Sequence, residues 1–311
     1  MAAAVAVIDR ALHPLIAIVG PTGSGKSALA LRIARELSGE IVSCDSLQVY
    51  RGLDVGSAKA TADERAMVPH HLLDVVEPDQ DFSAADYGRL ARAALEEVAG
   101  RGRLPIVAGG TGLYLRALRR GLFAGPSRDP ELRRRLERIA DRRGDARLHR
   151  LLARVDPESA ARTAVKDRVR IIRALEVYRA SGRTLAAHHR EDAPVADLRR
   201  WLVVGLDPPR DGLRASVEAR TRAMLEGGLL AEVRELLARF HGDLRPLRAI
   251  GYRQAVAVVR GAQTVEDAQR DIVKETMRYA KRQMTWFRHQ EDVRWFREAA
   301  DARVAILEWL G

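Results

Sequence analysis

Gly20-Pro21-Thr22-Gly23-Ser24-Gly25-Lys26-Ser27 has the spacing G-x-x-x-x-G-K-[ST], and these residue types in this order bind phosphate. Glycines let the backbone take φ > 0 and bring its N–H groups close to phosphate oxygens. A helix that starts at Lys26 adds its positive dipole end. Lys26 is placed to neutralise the terminal phosphates, and Ser27 to offer its hydroxyl to Mg²⁺. Two more polar residues stand at the ends of apolar runs, Asp45 after Ile41–Cys44 and Thr111 after Leu104–Ala108. An aspartate near bound phosphate is either a Mg²⁺ ligand or a general base, and an N-cap or turn role is the plain alternative. Thr111 lies in Gly109-Gly110-Thr111-Gly112, a tight turn that leaves room for a ligand. The carboxylate that usually ends a strand in a P-loop ATPase is replaced here by glycine. That weakens a nucleotide-hydrolysis reading, with Asp45 the one residue placed to substitute. His70-His71 lacks a third ligand at metal spacing and reads as structural, and Cys44 reads as a strand-end packing residue.

The elements that position these residues follow from the apolar pattern. Leu15–Val19 reads as a buried strand, and Leu29, Ile33 and Leu37 mark the helix after the P-loop, which stops near Ser38-Gly39. Ile41–Cys44 and Leu104–Ala108 are further strands, and Gln48 to Pro69 is turn-rich. Between them Ser83 and Asp86 form a capping box that opens an amphipathic helix through Val98, stopped by Gly100 and Gly102. Strands alternating with helices predict an α/β fold: a P-loop NTPase-like parallel sheet with helices on both faces. Ligands of such sheets bind at the carboxyl ends of the strands, where the P-loop, Asp45 and Thr111 all fall.

The pattern changes after Pro126. From Glu131 to about Arg190 it is helical and basic, with helices marked by Leu132 and Leu136, by Leu148 and Leu152, and by Ile171 and Leu175 behind the cap Asp167. This predicts a helical insertion over 127–200 between two parts of the core, 1–126 and 201–311. Trp201–Leu206 returns to strand character, and Leu213–Leu225 and Leu229–Phe240 read as helices. Thr264 and Asp267 open a long helix to about Phe287 with Lys274, Arg278, Lys281 and Arg282 along one side.

The composition, 47% hydrophobic and 31% charged over 311 residues, is that of a soluble globular chain. Lys and Arg number 53 against 42 Asp and Glu, and the resulting +11 points to a polyanionic partner or, more plainly, to solvated basic faces. Cys44 is the only cysteine, which excludes an internal disulfide and a cysteine metal cage. Met1–Val7 is apolar but lacks a basic flank, and Asp9 and Arg10 interrupt it. Neither a signal peptide nor a membrane span is expected, so the cytoplasm is the expected compartment. On these residues alone the chain binds a di- or triphosphate, and an ATP-binding small-molecule kinase with Asp45 as base and an RNA-binding protein that senses a phosphate ligand both stand open.

Several strings resemble the tRNA dimethylallyltransferase (isopentenyltransferase) family. They are the P-loop, Asp45-Ser-Leu-Gln-Val-Tyr-Arg-Gly-Leu-Asp-Val-Gly56, Pro69-His-His-Leu-Leu-Asp74, Gly109-Gly-Thr-Gly-Leu-Tyr114 and Arg173-Ala-Leu-Glu-Val177. Arg248-Ala-Ile-Gly-Tyr-Arg253 and Tyr279-Ala-Lys-Arg-Gln-Met-Thr-Trp-Phe-Arg288 complete the family order, from about Leu15 to Phe296. The resemblance implies transfer of the dimethylallyl group from its diphosphate to the exocyclic N6 amino group of the adenosine just 3′ of the anticodon, in tRNAs that read codons beginning with U. It implies that the P-loop residues Gly20, Pro21, Thr22, Gly23, Ser24, Gly25, Lys26 and Ser27 hold the diphosphate, with Mg²⁺ at Ser27. Asp45 would accept the amine proton, Thr111 would hold the same amino group, and Lys26 and Arg220 would neutralise the leaving group. By carry-over, Asp45, Ser46, Leu47, Gln48, Thr111, Arg133, Val169, Arg170, Ile171, Ile172, Arg173, Arg248, Ala249, Ile250, Gly251, Tyr252 and Arg253 would grip the tRNA anticodon stem-loop around an unstacked base. A monomer with no membrane contact is the expected state. Lys166 departs from the family pattern where asparagine is expected, and Cys44 and Ser57 replace residues usually small or threonine.

Overall fold

A computed structural model of the chain describes residues 14–122, 125–126, 129–191, 200–241 and 244–311. It divides into two compact units, Met1–Arg119 with Asp197–Gly311, and Arg120–Ala196. The first unit holds β1 (Pro14–Val19), α1 (Lys26–Glu36), β2 (Gly39–Ser43), α2 (Ala62–Met67), β3 (His70–His71), α3 (Ala84–Gly100), β4 (Leu104–Gly109) and α4 (Gly112–Arg120), whose last residue opens the second unit. The second holds α5 (Pro130–Arg143), α6 (Asp145–Val155), α7 (Pro157–Arg162), α8 (Arg168–Ser181) and α9 (Leu185–Glu191). The first unit resumes with β5 (Arg200–Leu206), α10 (Arg210–Glu226), α11 (Leu229–Arg239), a 3₁₀ turn at Arg245–Arg248, α12 (Tyr252–Val259), α13 (Val265–Gln290), β6 (Arg294–Phe296) and α14 (Ala299–Leu310).

The six strands form one parallel sheet in the order β3-β2-β4-β1-β5-β6. β1 lies between β4 and β5, with Ile16 opposite Ile106 and Leu202. Its continuous apolar run is what a strand covered on both faces requires. Alternate residues go to opposite faces. Leu15, Ala17 and Val19 pack with Tyr87 and Leu95 of α3, Leu115 of α4 and Phe287 of α13. Ile16 and Ile18 pack on the other face with Leu29 and Ile33 of α1 and Ile306 of α14. Each such fully buried aliphatic side chain contributes about 1.5–3 kcal/mol.

The expected strands at Leu15–Val19, Ile41–Cys44, Leu104–Ala108 and Trp201–Leu206 are present within a residue or two of those limits. The capping box at Ser83 is reciprocal with Asp86, and Asp167 and Thr264 cap α8 and α13 by accepting from the N–H groups of Arg170 and Asp267. The edge strands β3 and β6 and the helices α2, α12 and α14 were not legible in the pattern. His71 accounts for its neighbourhood by pairing with the buried carboxylate of Glu40 at 2.7 Å, which Arg101 also holds. The helical unit has its own core of Leu136, Leu148, Leu152, Ile171 and Ile172.

Candidate active site

The P-loop turns from β1 into α1 through Gly25, whose φ of 84° is a left-handed conformation that a side chain disfavours. α1 has no side-chain N-cap and no acidic residue in its first turn, so its leading N–H groups carry no competing carboxylate. Ser24 Oγ is buried without a hydrogen-bond partner among the described residues, and a phosphate oxygen is the kind of acceptor that would satisfy it. Lys26 is buried and donates from Nζ to the Pro21 carbonyl at 3.2 Å. Burial first, and then the charge of Arg220, lower its pKa to about 8, with Asp45 opposing the shift. Two cations held close in a poorly solvated site repel each other, and an anion between them relieves that repulsion.

Arg220 comes from α10 and donates to the Ser57 carbonyl at 3.2 Å. Its pKa too is lowered by burial, with Asp45 opposing. Asp45 follows β2 and accepts from the Leu47 N–H at 2.8 Å through Oδ1, while Oδ2 has no hydrogen-bond partner among the described residues. That leaves one carboxylate oxygen to accept a proton. Thr111 closes the turn after β4. Its Oγ1 accepts from the Ser46 N–H at 3.1 Å and its own N–H donates to the Cys44 carbonyl at 3.1 Å. In the free chain Thr111 therefore fixes the loop that carries Asp45. Beneath it Cys44 is sealed off, and burial pushes its thiol up to about 12.

Asp45 and Arg220 line a cavity of ≈ 340 Å³, together with Thr22 of the P-loop and the expected residues Ser46, Leu47, Arg248, Ala249, Ile250, Gly251 and Arg253. The sequence reading missed its apolar wall, Val217 and Met224 of α10 and Ile272 of α13, and its polar rim, Ser57, Tyr279 and Arg282. Arg282 stands 5.5 Å over the Tyr279 ring, and burial pushes the Tyr279 hydroxyl up to about 12. The other α13 cations separate from Arg282, since Lys274, Arg278 and Lys281 line a groove shared with Arg210 and Arg214 of α10. Arg282 lies one i,i+4 step beyond Arg278, at the edge of that stripe, and faces the cavity instead.

Several of the expected tRNA-contacting residues have side chains that are occupied or buried in the free chain. Tyr252 is fully buried, and its hydroxyl donates to Glu232 at 2.7 Å. The same carboxylate accepts from the N–H groups of Asp54, Val55 and Gly56, and so ties the 54–56 loop to α12. Gln48 accepts from Ser43 Oγ at 2.8 Å and donates to the Ala58 carbonyl at 3.2 Å, acting as a loop brace. In the helical unit Ile171 and Ile172 are core residues, and Arg133 forms a two-pronged ion pair with Glu176 at 3.0 and 2.6 Å. Arg173 donates to the Pro126 carbonyl at 2.9 Å. Only Val169, 69% exposed, and Arg170, paired loosely with Asp167 at 3.4 Å, present open side chains there. Ser27 is exposed and lines a separate recess of ≈ 100 Å³ with Ser43, Gln48 and Glu64. Hard oxygen donors without a carboxylate cluster suit Mg²⁺, which takes most of its ligands from water and phosphate.

The family model described as IPP transferase matches residues 48–290. The chain is 52% identical over 281 residues to a tRNA dimethylallyltransferase of Anaeromyxobacter dehalogenans, covering 90% of this chain and 94% of that one. The chain belongs to the IPP transferase family. A tRNA dimethylallyltransferase of Myxococcus xanthus is 49% identical over 90% of this chain and 91% of its own length. Among solved structures, the tRNA isopentenylpyrophosphate transferase of Bacillus halodurans superposes with a TM-score of 0.68 at 36% identity, over 96% of this chain and 95% of that one. The P-loop precedes the segment matched by the IPP transferase model, and the cavity draws on both. No helix among the described residues is long and apolar enough to cross a membrane.

Proposed function

We propose that the chain transfers the dimethylallyl group of dimethylallyl diphosphate to the N6 amino group of the adenosine 3′ to the anticodon, in tRNAs that read codons beginning with U. The observation that carries this reading is a cavity with an apolar wall lined by Arg220 and Asp45, with the buried Lys26 close enough to feel the charge of both. A diphosphate needs the two cations, a five-carbon tail needs Val217, Met224 and Ile272, and an aromatic amine needs a base.

The C1–O bond of the donor breaks as N6 bonds to C1. Diphosphate leaves with the electron pair, and the N6 proton passes to Asp45 Oδ2. Lys26 and Arg220 stabilise the charge that grows on the leaving oxygen, and fixed donors of this kind are worth about 10²–10³ each in rate. Mg²⁺ held at Ser27 would supply further neutralisation of the diphosphate. Thr111 and Ser46 keep Asp45 in place. The target base must leave its stack to reach the cavity, and Arg248, Arg253, Tyr279 and Arg282 at its rim offer cationic and aromatic faces to it. Val169 and Arg170 of the helical unit, with Arg173 once released from the Pro126 carbonyl, would meet the tRNA backbone, with the +11 charge supporting affinity. The lone Cys44 suits a reducing compartment, and the reading places a monomer in the cytoplasm.

The test is incubation with Mg²⁺, labelled dimethylallyl diphosphate and unmodified tRNA, followed by nucleoside analysis. Label on a single adenosine beside the anticodon supports the reading. Unlabelled RNA with ATP consumed in a parallel assay would replace it with a kinase.

A further inference from the structure

α13 crosses the carboxyl edge of the sheet and sets Gln283 between two loops of the site. The residue is 6% exposed. Its Oε1 accepts from the Thr22 N–H of the P-loop at 3.0 Å, and its Nε2 donates to the Gly110 carbonyl of the turn that carries Thr111 at 2.8 Å. The amide has only one workable orientation. A backbone N–H faces one end and a backbone C=O the other, so a flipped amide would oppose donor to donor and acceptor to acceptor. The glycines of the turn fit this contact. A Cβ on Gly110 would collide with Gln283 Nε2, and one on Gly112 with the Trp286 ring one turn further along α13.

We infer that Gln283 is a positioning residue that couples the diphosphate loop to the acceptor-side turn, holding Thr22 and Thr111 in register through one amide. This rests on the proposed prenyl transfer for its purpose, but its test does not need turnover. Both loop partners are backbone groups, so the coupling requires of Gln283 one acceptor and one donor at the ends of a planar group; the Tyr279 hydroxyl, one turn earlier on α13, is a further hydrogen-bond neighbour of the amide.

Glutamate separates this role from bulk packing. Protonated, it has the shape and the donor–acceptor pattern of glutamine. Ionised, it turns an acceptor toward the Gly110 carbonyl, which disfavours that form and raises its pKa by several units in a buried setting. The probe is inorganic diphosphate, titrated into the native chain, Gln283→Glu and Gln283→Met across pH 6–8, each variant expressed relative to native at the same pH, with unfolding midpoints measured alongside. The expected result is a loss of affinity on the order of tenfold for Gln283→Met at every pH, as the loop is displaced. Gln283→Glu should lose as much at pH 8 and return to within about twofold of native at pH 6, the region to which burial raises a carboxyl. Gly110→Ala, which pushes the amide out from the other side, should match Gln283→Met. Equal, pH-independent losses in the glutamate and methionine variants, tracking their unfolding midpoints, would reduce Gln283 to a packing residue. A glutamate variant that follows native at every pH, or an alanine variant with native affinity, would remove the coupling. A native chain that binds diphosphate but labels no tRNA would instead defeat the proposed function and leave the clamp intact.

Discussion

The cations of the two units are held in two ways. In the helical unit Arg133 is matched by the carboxylate of Glu176, which is 1% exposed, and Arg168 by Asp141 and Asp145. In the sheet unit Lys26 and Arg220 have, among the described residues, only backbone carbonyls, Pro21 and Ser57, as hydrogen-bond partners. A carboxylate partner satisfies a buried cation and makes it structural. A lone carbonyl leaves most of the charge uncompensated, at a cost the fold tolerates where an anionic ligand is to arrive. Lys59, held by Asp54 at 2.5 Å and Asp74 at 2.6 Å, shows that the sheet unit also uses the first kind. Arg173, on the Pro126 carbonyl, shows that the helical unit has one of the second. Partner chemistry, more than residue type or domain, separates the two roles.

The largest expected effect tests the carboxylate that serves the uncompensated pair. Asp45→Ala should lower transfer by about 10²–10⁴-fold, the range for a positioned base, and leave tRNA affinity nearly unchanged. A matching loss of affinity would make Asp45 an RNA anchor. Next is the titration of Lys26. Its pKa in the free chain, about 8, lies below the ordinary 10.5, so the neutral amine prevails above pH 8 and diphosphate binding must take up a proton. Affinity for inorganic diphosphate should fall as pH rises past 8, approaching tenfold per pH unit. Lys26→Met should remove that slope and leave only the titration of the diphosphate itself. A native slope identical to that of the variant would take Lys26 out of the site.

The smaller effects sharpen the contrast in the helical unit. Arg133→Ala strands Glu176 and should cost about 2–4 kcal/mol in denaturant unfolding, below the full value for a buried pair because Arg133 is itself 24% exposed. An unchanged stability with weakened tRNA binding would move Arg133 to the second kind. Arg170, 75% exposed on its side chain, should leave stability within about 0.5 kcal/mol on replacement by alanine. It should also reduce the salt slope of tRNA binding by about one. An unchanged slope would remove it from the RNA surface.

What could be read in the sequence follows the same division. β1 and β4 are continuous apolar runs ended by glycine-rich turns, and such signals need no tertiary information. β3 and β6 have two and three residues, too few for any period, and exist because β2 and β5 offer them an edge. α14 shows a weak amphipathic pattern and is defined by packing on α1 and β5. At the site, Lys26 and Asp45 were legible because a loop motif and a strand end place them locally. Gln283 lay inside a quoted string with no role assigned, because its partners are 261 and 173 residues away. The glycines at 110 and 112 were the available sign that another element lands there. That Ile171, Ile172 and Tyr252 are buried could not be read, because a motif position does not say whether a side chain faces solvent or core.

The most direct measurement compares transfer per folded molecule for Arg220→Ala and Arg133→Ala under saturating tRNA, with unfolding midpoints from the same samples. The expected result is a loss of about 10²–10³-fold for Arg220→Ala at a native midpoint, and near-native transfer for Arg133→Ala at a lowered one. Native transfer by Arg220→Ala, with its midpoint unchanged, would contradict the assignment of the uncompensated cations to the leaving group.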